Sequence, residues 1–157
     1  MVLGDYFPEE EKIKIFHSQL KPGRVFYLSC DFTTPPKDKY LLLVCIEPRP
    51  LFFVINSRIH DYIKKRPEML SRQVCLAAGE YDFLEHDSYV NCADAIDFFH
   101  IKDIEQQVLK SLDRTKGSIS QEARKQVISV VKGSQTINKL YKGWILKGLE
   151  ELFTESL

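Results

Sequence analysis

The stretch Tyr40-Leu41-Leu42-Leu43-Val44-Cys45-Ile46, then Glu47-Pro48-Arg49-Pro50, then Leu51-Phe52-Phe53-Val54-Ile55, decides the fold. Each apolar run has strand length, and the first is apolar throughout, so both its faces are expected to be covered. Pro48-Arg49-Pro50 is too short for a crossover, so the two runs are expected to pair antiparallel.

Working outward, Val25 to about Phe32 reads as a preceding strand, and Thr33-Thr34-Pro35-Pro36-Lys37-Asp38 as a loop, because consecutive prolines remove ladder donors. Gln73–Ala77 and Ser88–Cys92 read as further short strands, with Ala95–Phe99 a candidate sixth. Ile59–Leu70 reads as partly helical and broken at Pro67, and Gly79 turns the chain. Several short strands between turn signals point to a closed or nearly closed small barrel. Upstream, Pro8 at a first helical position, Glu9–Glu11, and Ile13, Phe16 and Leu20 at helical spacing give a helix over 8–20.

The last third changes period. Ile101–Leu112 reads as a helix, and Thr115-Lys116-Gly117 as a break. Ser118 or Ser120 can cap a helix over about 119–131 whose stripe is Ala123, Val127, Val130 and Val131. Gly133 ends it, and Ser134 can cap an amphipathic helix carrying Ile137, Leu140, Tyr141, Trp144, Ile145, Leu149 and Leu152. That stripe either packs on the barrel or presents a partner-binding face. The expected organisation is one α+β domain over 1–157: a helix at 8–20, a β-barrel at 23–100 and helices at 101–153.

Composition narrows the function classes. The 157 residues are 44% hydrophobic and 28% charged, as in ordinary globular proteins. No apolar run approaches the roughly 18 residues of a membrane span, so no membrane partner is expected. Met1-Val2-Leu3-Gly4-Asp5 lacks a basic region followed by an apolar stretch, so no secretory signal is expected and the location is read as cytoplasmic. Cys30, Cys45, Cys75 and Cys92 lie in apolar or strand-like segments without a CxxC pair, which reads as buried reduced thiols rather than a zinc site. Twenty-two Lys and Arg balance twenty-two Asp and Glu, yet Lys110–Lys147 holds nine basic residues against Asp113 and Glu122. That excess either attracts phosphates or an acidic partner, or is a set of solvated helix faces. Phosphate-loop, dinucleotide, zinc-protease and serine-hydrolase signatures are absent, and His17, His60, His86 and His100 lack ligand spacing. No metal and no cofactor is called.

The order of features between about 20 and 133 resembles the MazF/PemK toxin family. Its Pro-Gly turn into a first strand with an aspartate near the end is matched by Lys21-Pro22-Gly23-Arg24-Val25 and Asp31. Lys39-Tyr40-Leu41-Leu42-Leu43-Val44 stands for the second strand and Val54-Ile55-Asn56-Ser57 for the end of the third. Phe83-Leu84-Glu85-His86-Asp87-Ser88-Tyr89-Val90-Asn91-Cys92 matches the family's "fLxxdSyVxCd" segment, and Gly117-Ser118-Ile119-Ser120 its Gly-x-Leu-Ser helix start. The resemblance implies an SH3-like barrel and metal-independent cleavage of single-stranded RNA, in which the substrate's 2′-hydroxyl attacks the adjacent phosphate while protein groups carry protons and stabilise charge. It also implies a homodimer and an antitoxin-like protein partner.

Two diagnostic positions depart from the family. Lys39 stands where it has arginine, giving a point charge instead of a bidentate fork, and Asn56 stands where it has threonine, losing the hydroxyl. The candidate catalytic set is therefore Lys39, Asn56, Ser57, His60 and His86, and the candidate RNA-binding set Lys37, Arg58, Ser88, Asn91 and Asp94. Either histidine suits acid–base work near neutral pH, and either also reads as a solvated polar residue. An inactive barrel module that binds RNA or a protein is the alternative function, and an unrelated β-barrel adaptor a third.

Overall fold

A computed structural model describes the backbone of residues 7–155 and the side chains of residues 7–150. In chain order the elements are α1 (Glu9–Gln19), β1 (Arg24–Cys30), β2 (Lys37–Cys45), β3 (Leu51–Asn56), α2 (Asp61–Lys64), α3 (Pro67–Leu70), β4 (Gln73–Leu76), β5 (Ser88–Asn91), α4 (Ile101–Lys110), β6 (Thr115–Ser118), α5 (Gln121–Lys132) and α6 (Lys139–Glu155). The six strands form one antiparallel sheet in the order β4-β5-β3-β2-β1-β6. It curls into a half-barrel. The expected antiparallel pair is present: Tyr40 faces Ile55 and Leu42 faces Phe53 across β2 and β3.

Alternation along these strands builds two cores. Val25, Leu42, Val44, Phe53, Ile55, Val74, Leu76 and Val90 face α5 and α6, meeting Ala123, Val127, Val131, Ile145 and Leu149. Phe26, Leu28, Leu41, Leu43 and Phe52 face the other way, meeting Phe16 of α1 and Ile104 and Val108 of α4. Both faces of β2 are therefore covered, which is why its sequence is continuously apolar. Glycine is favoured at two positions, Gly23 by its positive φ and Gly148 by a close backbone approach. Gly23 holds φ +98°, and a Cβ there would stand 2.4 Å from Arg124 Nη2; a Cβ on Gly148 would stand 3.2 Å from the Val44 carbonyl oxygen where α6 crosses β2.

Several boundaries differ from the sequence reading. Lys37 and Asp38 belong to β2, pairing with Cys30 and Ser29, because their backbones lie past the prolines and are free to join the ladder. Ala95–Phe99 contributes one bridge, Ile96 to Phe52, and no strand. The sixth strand is instead Thr115–Ser118, read from sequence as a break; it pairs with β1 through an irregularity at Val25/Phe26 that accommodates Gly117 at φ +154°. Ser120, not Ser118, caps α5, its hydroxyl accepting from Ala123 N at 3.1 Å. Asn138, not Ser134, caps α6, its side chain accepting from Leu140 N at 2.8 Å; Ser134 Oγ closes the preceding turn by accepting from Thr136 N and Ile137 N. Along the α6 stripe Ile137, Ile145 and Leu149 are buried, whereas Leu140 is exposed. Leu152 lies outside the described side chains.

Candidate functional site

Cross-strand register sets one row of side chains on the α1/α4 face. Leu28 pairs with Lys39, the β2–β3 register brings Lys39 opposite Asn56, Asn56 pairs with Tyr89, and Tyr89 pairs with Cys75. Residues directly opposite share a face. Leu28 is fully buried beneath the helices, but Lys39, Asn56 and Tyr89 are only half-buried and Cys75 is exposed. The α1/α4 layer thus buries the Leu28 end of this row and leaves its other end, from Lys39 to Cys75, partly open to solvent. Sequence reading missed Tyr89 as a lining residue; once β5 pairs with β3, the alternation of Tyr89 with buried Ser88 and Val90 shows which way it points.

Lys39 and Asn56 meet directly, the ammonium donating to Oδ1 at 3.3 Å. Their approach follows from facing positions near the ends of β2 and β3. Partial burial and then the neighbouring charge of Lys37 hold the Lys39 ammonium below its ordinary pKa. His60 immediately precedes the short helix α2, just beyond β3, makes no side-chain capping bond, and lies stacked against Tyr62, ring centroids 5.9 Å apart. Partial burial, followed by the positive charges of Arg58, Lys39 and Lys37, pushes this imidazole below its ordinary value, with Asp61 pulling the other way. At neutral pH His60 is therefore uncharged and able to accept a proton. Among the described residues none of Lys37, Lys39 and Arg58 is in an ion pair.

The other predicted residues are placed differently. Ser57 is exposed in the turn after β3 and makes no side-chain bond to Lys39 or His60. His86 is exposed before β5, with no side-chain partner among the described residues. Ser88 is buried on the α5/α6 face, its hydroxyl donating to the His86 carbonyl at 3.0 Å. The Asn91 side-chain oxygen is occupied by Gln73 Nε2 at 2.9 Å and Ala93 N at 3.1 Å. Asp94 lies near Asp97, whose carboxylate accepts from Arg49 and Tyr141; partial burial and then the Asp97 charge raise the Asp94 carboxyl above its ordinary value. Of the ten predicted residues, Lys37, Lys39, Asn56, Arg58 and His60 are brought together.

The basic excess of residues 110–147 is partly neutralised in place, Arg114 lying 3.7 Å from Asp38, Lys116 3.4 Å from Asp113 and Lys132 3.1 Å from Glu150. No set of three or more His, Cys, Asp or Glu side chains poised around a common point occurs among the described residues. No described helix is long and apolar enough to cross a membrane.

The chemistry available at the partly open end is that of an anion site. Two ammonium groups and a guanidinium supply positive charge, an amide fixes one ammonium, a neutral imidazole can exchange a proton, and Tyr62 and Tyr89 offer ring faces. No protein-family model matches the chain, and no curated protein matches it.

Proposed function

We propose that this chain is a divergent MazF/PemK-like protein, with an SH3-like version of the curled sheet, that binds single-stranded RNA at Lys37, Lys39, Asn56, Arg58 and His60 and cleaves it without a metal. The observation that carries the reading is the half-buried Lys39–Asn56 contact at the partly open end of the cross-strand row, near Lys37 and Arg58, cations that form no ion pair among the described residues. A backbone phosphate supplies the missing counter-charge, and the ring faces of Tyr89 and Tyr62 suit unstacked bases. In the cleavage step His60 takes the proton of the 2′-hydroxyl, whose oxygen attacks the adjacent phosphorus. Lys39 and Arg58 stabilise the charge that develops on the phosphoryl oxygens. The bond to the 5′-oxygen breaks, and that oxygen takes a proton from the Lys39 ammonium, made more acidic by its surroundings, leaving a 2′,3′-cyclic phosphate and a 5′-hydroxyl. Homodimerisation and an antitoxin-like partner belong to the same proposal.

An RNA-binding module without catalysis is favoured by one observation: His86 stands apart from the cluster, so His60 is its one histidine among the described residues. Purified protein incubated with a long unstructured RNA in chelator separates the readings. Cleavage that leaves cyclic-phosphate ends and falls by about 10²–10⁴-fold in His60→Ala supports the enzyme. Binding with no cleavage supports the module. Neither binding nor cleavage refutes both, and equal cleavage by wild type, Lys39→Ala and His60→Ala assigns the activity to a contaminant.

A further inference from the structure

A second site lies on the other side of β1, at the edge it presents beyond β6. Only Arg24–Phe26 of β1 pair with β6. The following edge groups are taken by side chains: Arg114 Nη1 donates to the Tyr27 carbonyl at 2.8 Å, and Gln107 Oε1 accepts from Ser29 N at 2.8 Å. A partner cannot add there as a further strand, because the ladder is already plugged. Between this edge and α4 lies an open hollow of about 320 Å³ lined by Asp31, Phe98, Phe99, Asp103, Gln106 and Gln107. Phe98 is 58% exposed and Phe32 37%, so both present apolar ring surface to solvent. Their rings meet at a tilt with centroids 4.8 Å apart, and Phe32 stands edge-on to Phe99 at 6.4 Å. Asp31 makes no hydrogen bond or ion pair among the described residues, and Asp103 spends one oxygen on His100 N at 3.0 Å.

We infer that this hollow receives an arginine side chain from an extended segment of a partner protein. Its volume is at the lower end for a ligand site and takes one long side chain. The phenyl faces suit a flat, weakly hydrated guanidinium, whose edge donors reach the Asp31 and Asp103 carboxylates and the Gln106 amide. The exposed Phe32–Phe98 ridge then covers an apolar neighbour on the same segment. The inference is independent of the RNA reading, since it uses neither Lys39 nor His60.

The test is an amide-resolved NMR titration with N-acetyl-arginine amide, beside its uncharged isostere N-acetyl-citrulline amide. Shifts should concentrate on residues 29–32, 98–99 and 103–107 and be absent with citrulline. Affinity should fall about fivefold in Phe98→Ser and by a similar factor in Asp31→Asn. If Phe98→Ser loses its folded spectrum, Asp31→Asn carries the test alone. Equal shifts with citrulline, shifts spread over the surface, or full affinity in Asp31→Asn would overturn the inference. So would a dimer in sedimentation equilibrium that Phe98→Ser dissolves, which would give the ridge to a second copy of the chain.

Discussion

Replacing Lys39 with glutamine should lower the salt sensitivity of RNA binding by one phosphate contact. Near pH 7.5 the partly open end holds three permanent cations, Lys37, Lys39 and Arg58, while His60 is neutral because burial and those same cations depress its pKa. Each phosphate neutralised on a single strand contributes about −0.7 to the slope of log affinity against log salt, so three give about −2. Raising salt from about 50 to about 200 mM should then cost wild type roughly twentyfold in affinity and Lys39→Gln about sevenfold. Acidification adds the fourth charge. A depressed folded pKa keeps His60 neutral until the pH falls well below the ordinary histidine value, and bound phosphate favours the protonated form, so affinity should rise toward about pH 5 with the slope approaching −2.8. His60→Ala should erase that acid limb and leave the slope near pH 7.5 unchanged. The assay is fluorescence anisotropy of a labelled unstructured RNA in chelator across a salt series. A slope unaffected by Lys39→Gln, or lowered equally by Lys147→Gln on the exposed surface of α6, would refute the assignment of binding to this end of the sheet.

Two further perturbations test the frame around the site. Phe52 is fully buried, edge-on to Phe26 at 6.5 Å and to Phe99 at 5.5 Å, so Phe52→Ala should destabilise by about 3–5 kcal/mol, read as a lower urea midpoint. Asp97 joins the loop before α4 to α6, accepting from the Tyr141 hydroxyl and from Arg49 at 3.0 Å, and its pKa lies below the ordinary 3.8, chiefly because of the tyrosine bond. A depressed carboxylate pKa stabilises above the unfolded value and loses that contribution as pH falls through the folded one, so Asp97→Asn should flatten the stability–pH curve below about pH 5 in acid denaturation.

The β2–β3 pair was legible because both runs are long, apolar and joined by a segment too short to cross over; nothing competed with that reading. β6 was not, because Thr115-Lys116-Gly117-Ser118 has neither apolar alternation nor strong β propensity and becomes a strand only through the free edge of β1. Asn138 was missed as a cap for a related reason: Ser134 carries the same capping chemistry four residues earlier, and only coordinates show it closing a turn instead. At the site, the family resemblance picked out Lys39 and Asn56, and proximity in sequence to Asn56 added Arg58 and His60. Ser88 and Asn91 misled because, at strand ends, a hydroxyl or amide is as readily spent on neighbouring polar groups as on a ligand.

Lys39 is the position where folding and function pull apart. Its row begins under the helices at Leu28 and runs out into the open at Tyr89, so the ammonium stands partly desolvated, bonded to a neutral amide and within reach of the Lys37 charge. A pKa held below 10.5 means that folding disfavours the charged form, so at neutral pH this lysine subtracts from stability. An apolar side chain of similar length would keep the stem's contacts with the sheet while removing that penalty. Lys39→Met is therefore expected to raise the urea midpoint, by a stabilisation of up to about 1 kcal/mol, while weakening RNA binding as Lys39→Gln does. A surface lysine with no role would move neither quantity. A purely structural one, holding Asn56 in place, would lose stability on the same substitution, and that outcome would remove the reason for regarding this end of the sheet as a site.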